Sequence, residues 1–513
     1  MVWKATAVVF VTACVALGLL RASATLEPPY PRDGAARAAL QNSSVHDFLA
    51  ANAWGHTSVI ALDAEHWRVT WWDGPREVLD AAVNAYGDVD AIERHHKTVN
   101  PPGAALLWNP AVLCLFALLF CFATGAARLL SSRNLDAVVL AAGITASAVL
   151  LDQRLVGAHV FVGALTLLYL AARCARVAFG AHPESAEDRP LYRRLFARTD
   201  PVRLLGWISA GALAAGLVLI LTSEGASDVA FAGMAGATLL SHGVSPYGHV
   251  TQEVVHGDTY PLLTYILYLP FAAISPVKDG FDSLDGALWL NAIALIAAAG
   301  LLARQARSLT PALAWMTFPP VLLAASGGGN DVPTALLVVA ALTTAAETGA
   351  VSWLAIAGWA KVGPALALVA WFARLRGKAM SRAAAAAVAV LAIGLAALVI
   401  VGGGDAIDRA TRAMRFQFER GSWFSVWQQL GSPALQVGFQ AATIAFAVFG
   451  VLTLRRRGSW RQCAAFAAAL LLLVQVGANY WTFAYLAWVL PFILVALFPP
   501  ERRGSPHPAP SAP

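Results

Sequence analysis

Charge is what this chain has least of. Asp, Glu, Lys and Arg make up 13% of its 513 residues, against about 25% in a soluble globular protein. With 58% hydrophobic residues and a mean hydropathy of +0.62, the composition is that of an integral membrane protein. Cysteine is sparse as well. Cys14, Cys114, Cys121, Cys174 and Cys463 all fall inside apolar runs and none has a CxxC spacing, so neither a disulfide framework nor a zinc site is indicated. Walker, GxSxG and HExxH motifs are missing, which leaves soluble-nucleotide chemistry without an evident site. The net charge of +6 is gathered between apolar runs, at Arg193–Arg203, Arg374–Arg382, Arg455–Arg461 and Arg502–Arg503. That is where the positive-inside rule puts cytoplasmic charge, and it is not a nucleic-acid signal.

Long apolar runs are what the chain has in plenty. They predict an all-α polytopic membrane protein of the cell membrane, with about 12–14 transmembrane or re-entrant helices. Residues 1–24 read as a membrane anchor or signal, and either reading puts residue 25 and its successors outside the cytoplasm. Residues 25–104 form a small α+β extracytoplasmic insert, with a helix at Ala35–Ala53, a strand at His66–Trp72 and a turn at Asp73-Gly74-Pro75. A second strand or helix comes next at Arg76–Asn84. A three-helix membrane segment, 105–180, a polar cytoplasmic linker, 181–203, a membrane module, 204–499, and a disordered cytoplasmic tail, 500–513, complete the order.

Two topologies compete beyond residue 222. Counting every apolar run as a crossing leaves Arg304 and Arg307 outside and Asn330-Asp331 inside. If 260–275 dips in without crossing and 350–373 is a pair broken at Gly363-Pro364, about twelve crossings remain. Arg304 and Arg307 then become cytoplasmic, while Gly327–Asp331 and Lys361 join Asp228 on the outer face. The second arrangement obeys the charge rule and is preferred. Residues 402–432 read as an outer loop whose Arg409, Arg412, Arg415 and Arg420 sit among aromatics, as at a membrane interface.

The polar groups near hydrocarbon are the candidates for chemistry. Asp228 either caps the helix beginning near Val229 or acts as a general base. Lys361 is either a snorkelling lysine or a cation for a phosphate leaving group. Arg415 and Arg420 suit the same phosphate or anionic lipid headgroups. Asn330-Asp331, after three glycines, is either a flexible polar loop or an N-cap for the helix beginning near Pro333, and a cap can also line the site. Glu253, His256 and Asp258 crowd the loop before Tyr260, yet Glu-x-x-His-x-Asp is no specific metal spacing. No cofactor is therefore expected; a divalent metal is conceivable but not indicated.

Several motifs stand in order from residue 200 onward. An apolar span ends in Asp228, then come Gly243-x-x-Pro246-Tyr247, Tyr260-Pro261-Leu-Leu, Gly329-Asn-Asp331 and Gly358-x-x-Lys361-x-x-Pro364. In these the chain resembles the GT-C superfamily of membrane glycosyltransferases, in particular the actinobacterial polyprenyl-phosphate-mannose-dependent α-mannosyltransferase-like family. That family usually has two prolines after the tyrosine; here Leu262 follows Pro261. The resemblance covers about three-fifths of the chain and leaves residues 1–180 unexplained. It implies an inverting transfer of a sugar, mannose by analogy, from a polyprenyl-phosphate donor to a glycan or glycolipid acceptor outside the cytoplasmic membrane. Asp228 would be the base, and Lys361 with Arg415 or Arg420 would hold the donor phosphate. Tyr247, Tyr260, Glu253, His256, Asn330 and Asp331 would line the substrate site. Two other readings stand beside it: a transporter or flippase of an amphipathic substrate, which would need broken helices and midplane charge, and a scaffold presenting residues 25–104 to a partner.

Overall fold

The fold is seen in a computed structural model, which describes residues 28–61, 66–73, 76–94, 106–126, 128, 130–152, 155–180, 201–223, 227–250, 257–277, 284–419, 422 and 424–499. The expected anchor (1–24), most of the linker, the tail, and Glu253, His256 and Arg420 lie outside the described residues.

The N-terminal unit is α+β. Two helices, α1 (Arg32–Gln41) and α2 (Ser43–Ala51), precede four strands: β1 (His56–Ala61), β2 (His66–Asp73), β3 (Arg76–Asn84) and β4 (Val89–Arg94). The strands form an antiparallel meander in the order β1-β2-β3-β4. The single helix expected over Ala35–Ala53 is interrupted at Asn42, whose extended backbone ends α1 and whose side chain accepts from Ser44 N and Val45 N to start α2. That is the N-cap role for which Asn is favoured. Trp67, Val69 and Trp71 alternate on one face of β2 and bury against Ala35, Ala39, Val45 and Leu49 of the helices. Period-2 patterning thus builds the core.

The rest of the described chain is largely helical. Among the described residues, seven helices are long and apolar enough to cross a membrane. They include α4 (Ser132–Asp152) and α5 (Val156–Phe179) after α3 (Pro110–Thr124), and α6 (Pro201–Leu221). Next come α7 (Asp228–Ser241), α8 (Leu262–Ile274), α9 (Asp285–Ala306), α10 (Thr310–Thr317), α11 (Pro319–Ser326) and α12 (Asp331–Thr343). A helical pair comes after them, α13 (Glu347–Ala360) and then α14 (Val362–Ala365) with α15 (Leu368–Arg374). The chain closes with α16 (Gly377–Gly402), α17 (Ala406–Glu419), α18 (Val426–Leu430), α19 (Pro433–Arg457), α20 (Trp460–Gly477) and α21 (Leu486–Leu497).

The pair over 347–374 is broken as expected. Glu347 at its start and Arg374 at its end form an ion pair of 2.7 Å, so the segment enters the bundle and returns to the same end. The break has a local cause. Pro364 has no N–H to offer the carbonyl of Ala360 four residues earlier, and Lys361 turns to extended backbone (φ −156°, ψ 128°).

Helix α8 does not follow the bundle axis. Thr264 bonds to Ala360 O, Tyr268 to Gly328 O, and Phe271 Cβ lies 3.0 Å from the position a Cβ would take on Gly286. Those partners are the end of α13, the turn before α12 and the start of α9, so α8 runs across one end of the bundle. Helix α7 lies with it, its Gly233 and Gly236 in close contact with the rings of Tyr268 and Tyr265. Segment 402–432, expected as a loop, is largely helical. Ala406 and Ala410 of α17 are buried against Tyr247, Leu262, Tyr265 and Leu398, while Asp408, Arg412 and Arg415 are exposed.

Within α4 and α5, Asp136 takes Arg173 Nε at 2.7 Å and Nη2 at 2.8 Å, and the Tyr169 hydroxyl at 2.9 Å. Losing one partner of a buried pair costs about 3–5 kcal/mol. The Asp136→Ala variant in detergent should therefore melt well below wild type, whereas Tyr169→Phe, which loses one hydrogen bond worth about 1 kcal/mol, should shift much less. Thermal unfolding followed by light scattering checks the ranking.

Candidate functional site

Three interruptions of helix meet at the end of the bundle roofed by α7 and α8. The first is the turn Gly327-Gly328-Gly329-Asn330. Gly328 has φ +68° and would put a Cβ 3.1 Å from the Cβ atoms of both Ala230 and Ala287. Only glycine fits so close a passage at positive φ. The turn is tied to the start of α7, because Ser227 N donates to Gly327 O at 2.8 Å. A Cβ on Gly329 would lie 3.5 Å from Ser227 Oγ and 3.8 Å from Asp331 Oδ2. Asp228 is thus held one residue from the turn that leads to Asp331.

The second interruption is Lys361. Its ammonium donates to Asp331 Oδ1 at 2.5 Å and to Asn330 Oδ1 at 3.4 Å. It also stands 4.3 Å from the centre of the Tyr485 ring, a cation–π distance. The side chains of Lys361 and Asp331 are 14% and 6% exposed, so the snorkelling reading does not hold: the lysine turns inward to a carboxylate. The carbonyl of Ala360, freed by Pro364, accepts from Thr264 Oγ1 at 2.5 Å and from Asn330 Nδ2 at 3.3 Å. Asn330 also donates to Thr264 Oγ1 at 3.1 Å. Asn330 does take the N-cap position of α12, but its side chain makes no cap hydrogen bond there and is spent instead on the carbonyl left over by α13.

The third interruption is the turn into α21, where Trp488 Nε1 donates to the same Asp331 Oδ1 at 3.0 Å. Trp488 also packs under the break, since a Cβ on Gly363 would meet its ring at 2.9 Å. Tyr485, Trp488, Thr264 and Tyr268 carry no motif that flags them in the sequence. Only the fold brings them to Asp331 and Lys361.

Asp228 itself is exposed, and it is not the cap. Ser227 caps α7, its Oγ accepting from Ala230 N at 3.2 Å, while Asp228 is the first helical residue and accepts from Val229 N at 2.8 Å. A carboxylate in the first helical turn is favoured by the helix dipole. No family model matches the chain. No curated protein matches it either.

Other expected residues fall nearby or elsewhere. Tyr247 is buried, and its hydroxyl donates to Tyr260 O at 3.0 Å. Burial and then the charge of Asp258 push that phenol up, so it stays a donor at neutral pH. It ties Tyr247 to Tyr260, and beside it Asp258 Oδ2 accepts from Gly248 N at 3.0 Å. Arg415 is exposed on α17, one turn beyond the Arg412–Asp408 pair of 3.0 Å. Among the described residues no group of three or more His, Cys, Asp or Glu could hold a metal.

The site thus offers one exposed carboxylate beside a shielded Asp–Lys pair. Asp331→Ala leaves Trp488 without its acceptor and Lys361 with only Asn330 Oδ1 at 3.4 Å, which should cost about 3–5 kcal/mol. The double variant Asp331→Ala/Lys361→Met should recover a large part of that loss. Melting temperatures of the two in the same detergent decide the matter.

Proposed function

We propose that this chain is a membrane glycosyltransferase of GT-C type. It moves a sugar, mannose by resemblance, from a polyprenyl-phosphate donor to an envelope glycan or glycolipid acceptor on the extracytoplasmic face of the cell membrane. The observation that carries the reading is the convergence of the Asp228 helix start, the Gly327–Asp331 turn and the Lys361 break at one end of the bundle. These are the residues that the order of motifs singles out. Charged groups near a hydrocarbon core are expensive and mark function by default.

In this reading the exposed Asp228 carboxylate accepts the proton of an acceptor hydroxyl as that oxygen attacks the anomeric carbon. The carbon–oxygen bond to the phosphate breaks on the opposite face of the ring, giving inversion, and the polyprenyl phosphate leaves with one more negative charge. Lys361 meets that charge by exchanging part of its hold on Asp331 for a phosphate oxygen. Asp331 keeps its hydrogen bond from Trp488, so it is not stranded when the lysine turns. Arg415 and Arg420 are the further cations assigned to the phosphate, and a bidentate guanidinium suits it. The opposite end of the bundle supports this orientation. It carries the Glu347–Arg374 pair and Arg376, which donates to Arg455 O, and such a basic end reads as cytoplasmic.

Membranes containing the wild-type chain should transfer radiolabel from a polyprenyl-phosphate sugar to endogenous acceptor. Asp228→Asn, at equal expression, should lose about 100-fold or more of that rate, the scale of a lost general base. Equal transfer by both proteins removes Asp228 as the base. Failure of both with several polyprenyl-phosphate sugars, together with energised uptake of such a lipid into vesicles, would favour the transporter instead.

A further inference from the structure

Two of the membrane-length helices are barely covered by the rest of the chain. In α16 and α19 only 6% and 17% of the apolar span is buried, against 50–72% in α4, α5, α9 and α20. Helix α16 packs on α13 and α19 packs on α15, so the two flank the arms of the hairpin whose tip carries Lys361. Much of their remaining surface is apolar and open to acyl chains. Val388, Leu391 and Ile393 stand out from α16, and Ile444, Phe449 and Leu452 from α19.

At the end of the bundle away from Asp228, the start of α16 meets the end of α19. Arg376, the residue before α16, donates through Nη2 to Arg455 O and through Nη1 to Ala373 O at 3.1 Å. Its guanidinium is thus oriented by neutral carbonyls, which leave its charge uncancelled. Lys378 and Arg382 follow on α16, one turn apart and therefore on one face. Both are exposed, as are Arg376 and Arg455. Glu347, a carboxylate at this end, is taken by Arg374 at 2.7 Å. Among the described residues no carboxylate pairs with Arg376, Lys378, Arg382 or Arg455.

We infer that this end of α16 and α19 is a binding site for a phospholipid with two phosphates, of the diphosphatidylglycerol class. Charge complementarity selects the headgroup. The cations fall into two groups, Arg376 with Arg455 and Lys378 with Arg382, one for each phosphate, and basic clusters between spans are where such headgroups are held. The uncovered apolar faces select a lipid. An acidic peptide or a soluble polyanion would meet the cations and leave those faces unused, and a lipid with one phosphate would leave one group of cations unanswered. The positive-inside rule accounts for basic residues at this end, but not for their gathering on the two spans that the chain leaves bare. The lipid would bridge the two flanks of the hairpin at its base. The site is independent of the glycosyltransferase reading, because none of its residues belongs to the Asp228 end.

The test is native mass spectrometry of the full-length protein, delipidated in detergent and titrated with tetraoleoyl diphosphatidylglycerol, dioleoyl phosphatidylglycerol or dioleoyl phosphatidylcholine. Diphosphatidylglycerol should bind saturably and about tenfold more tightly than phosphatidylglycerol, with phosphatidylcholine weaker still. The double variant Lys378→Gln/Arg382→Gln should lose about tenfold of that affinity and Arg455→Gln about fivefold. The swap Lys378→Arg/Arg382→Lys keeps both charges and should bind as wild type does, which separates lost charge from lost folding. Equal affinity for the two anionic lipids, or unchanged binding by the glutamine variants, overturns the proposal. Displacement of the bound lipid by an equal concentration of inorganic pyrophosphate overturns it as well, since the ligand would then be a soluble anion.

Discussion

The ion pair between Asp331 and Lys361 is the constraint around which this end of the molecule is arranged. Two opposite charges withdrawn from water are stable only when their remaining hydrogen-bonding capacity is met. Here Trp488 and Asn330 complete the polar contacts and the Tyr485 ring covers the ammonium. Each partner sits where a helix cannot continue. Lys361 occupies the break imposed by Pro364, and Asp331 begins α12 after a turn that glycine alone can make. The pair fastens α12 to the tip of the 347–374 hairpin, and Trp488 brings in α21. Thr264 and Tyr268 then lay α8 across the top.

That arrangement explains why the exposed carboxylate is Asp228 and the shielded one Asp331. Asp331 is enclosed by side chains from three parts of the chain, so its negative charge is spent on holding Lys361. Asp228 stands one residue past Ser227, which is fastened to Gly327 by a backbone hydrogen bond. It is near the pair yet faces outward from the first turn of α7. An exposed carboxylate and an enclosed cation beside one turn is the asymmetry that the proposed transfer, with its charged leaving group, would use.

Much of this was legible in the sequence, and the limits are physical. Gly363-Pro364 announced a break because proline removes a backbone donor wherever it sits. A non-crossing 260–275 was the expectation from charge bookkeeping, since only that path put Arg304 and Arg307 with the other basic clusters, and a helix laid across one end of the bundle is compatible with it. The α+β character of residues 28–94 was readable from the alternation in His66–Trp72. Strands β1 and β4 were not, being six residues each and, for Val89–Arg94, rich in charge. Helix α17 was missed because its arginines suggested a loop, although its small apolar residues recur at helical spacing. Trp488 and Thr264 could not be found at all: they lie 157 and 66 residues from their partners in the Asn330-Asp331 pair, and no periodicity links such distances.

Placing Asp228, Asn330 and Lys361 at one end of the bundle and Arg307, Glu347 and Arg374 at the other is the claim on which the functional reading stands. Single cysteines at 228, 307 and 404 in a cysteine-free chain, exposed in intact cells to a membrane-impermeant maleimide, test it most directly. The arrangement predicts labelling at 228 and 404 from outside and at 307 only after the membrane is opened. Labelling of 228 and 307 from the same side would contradict it.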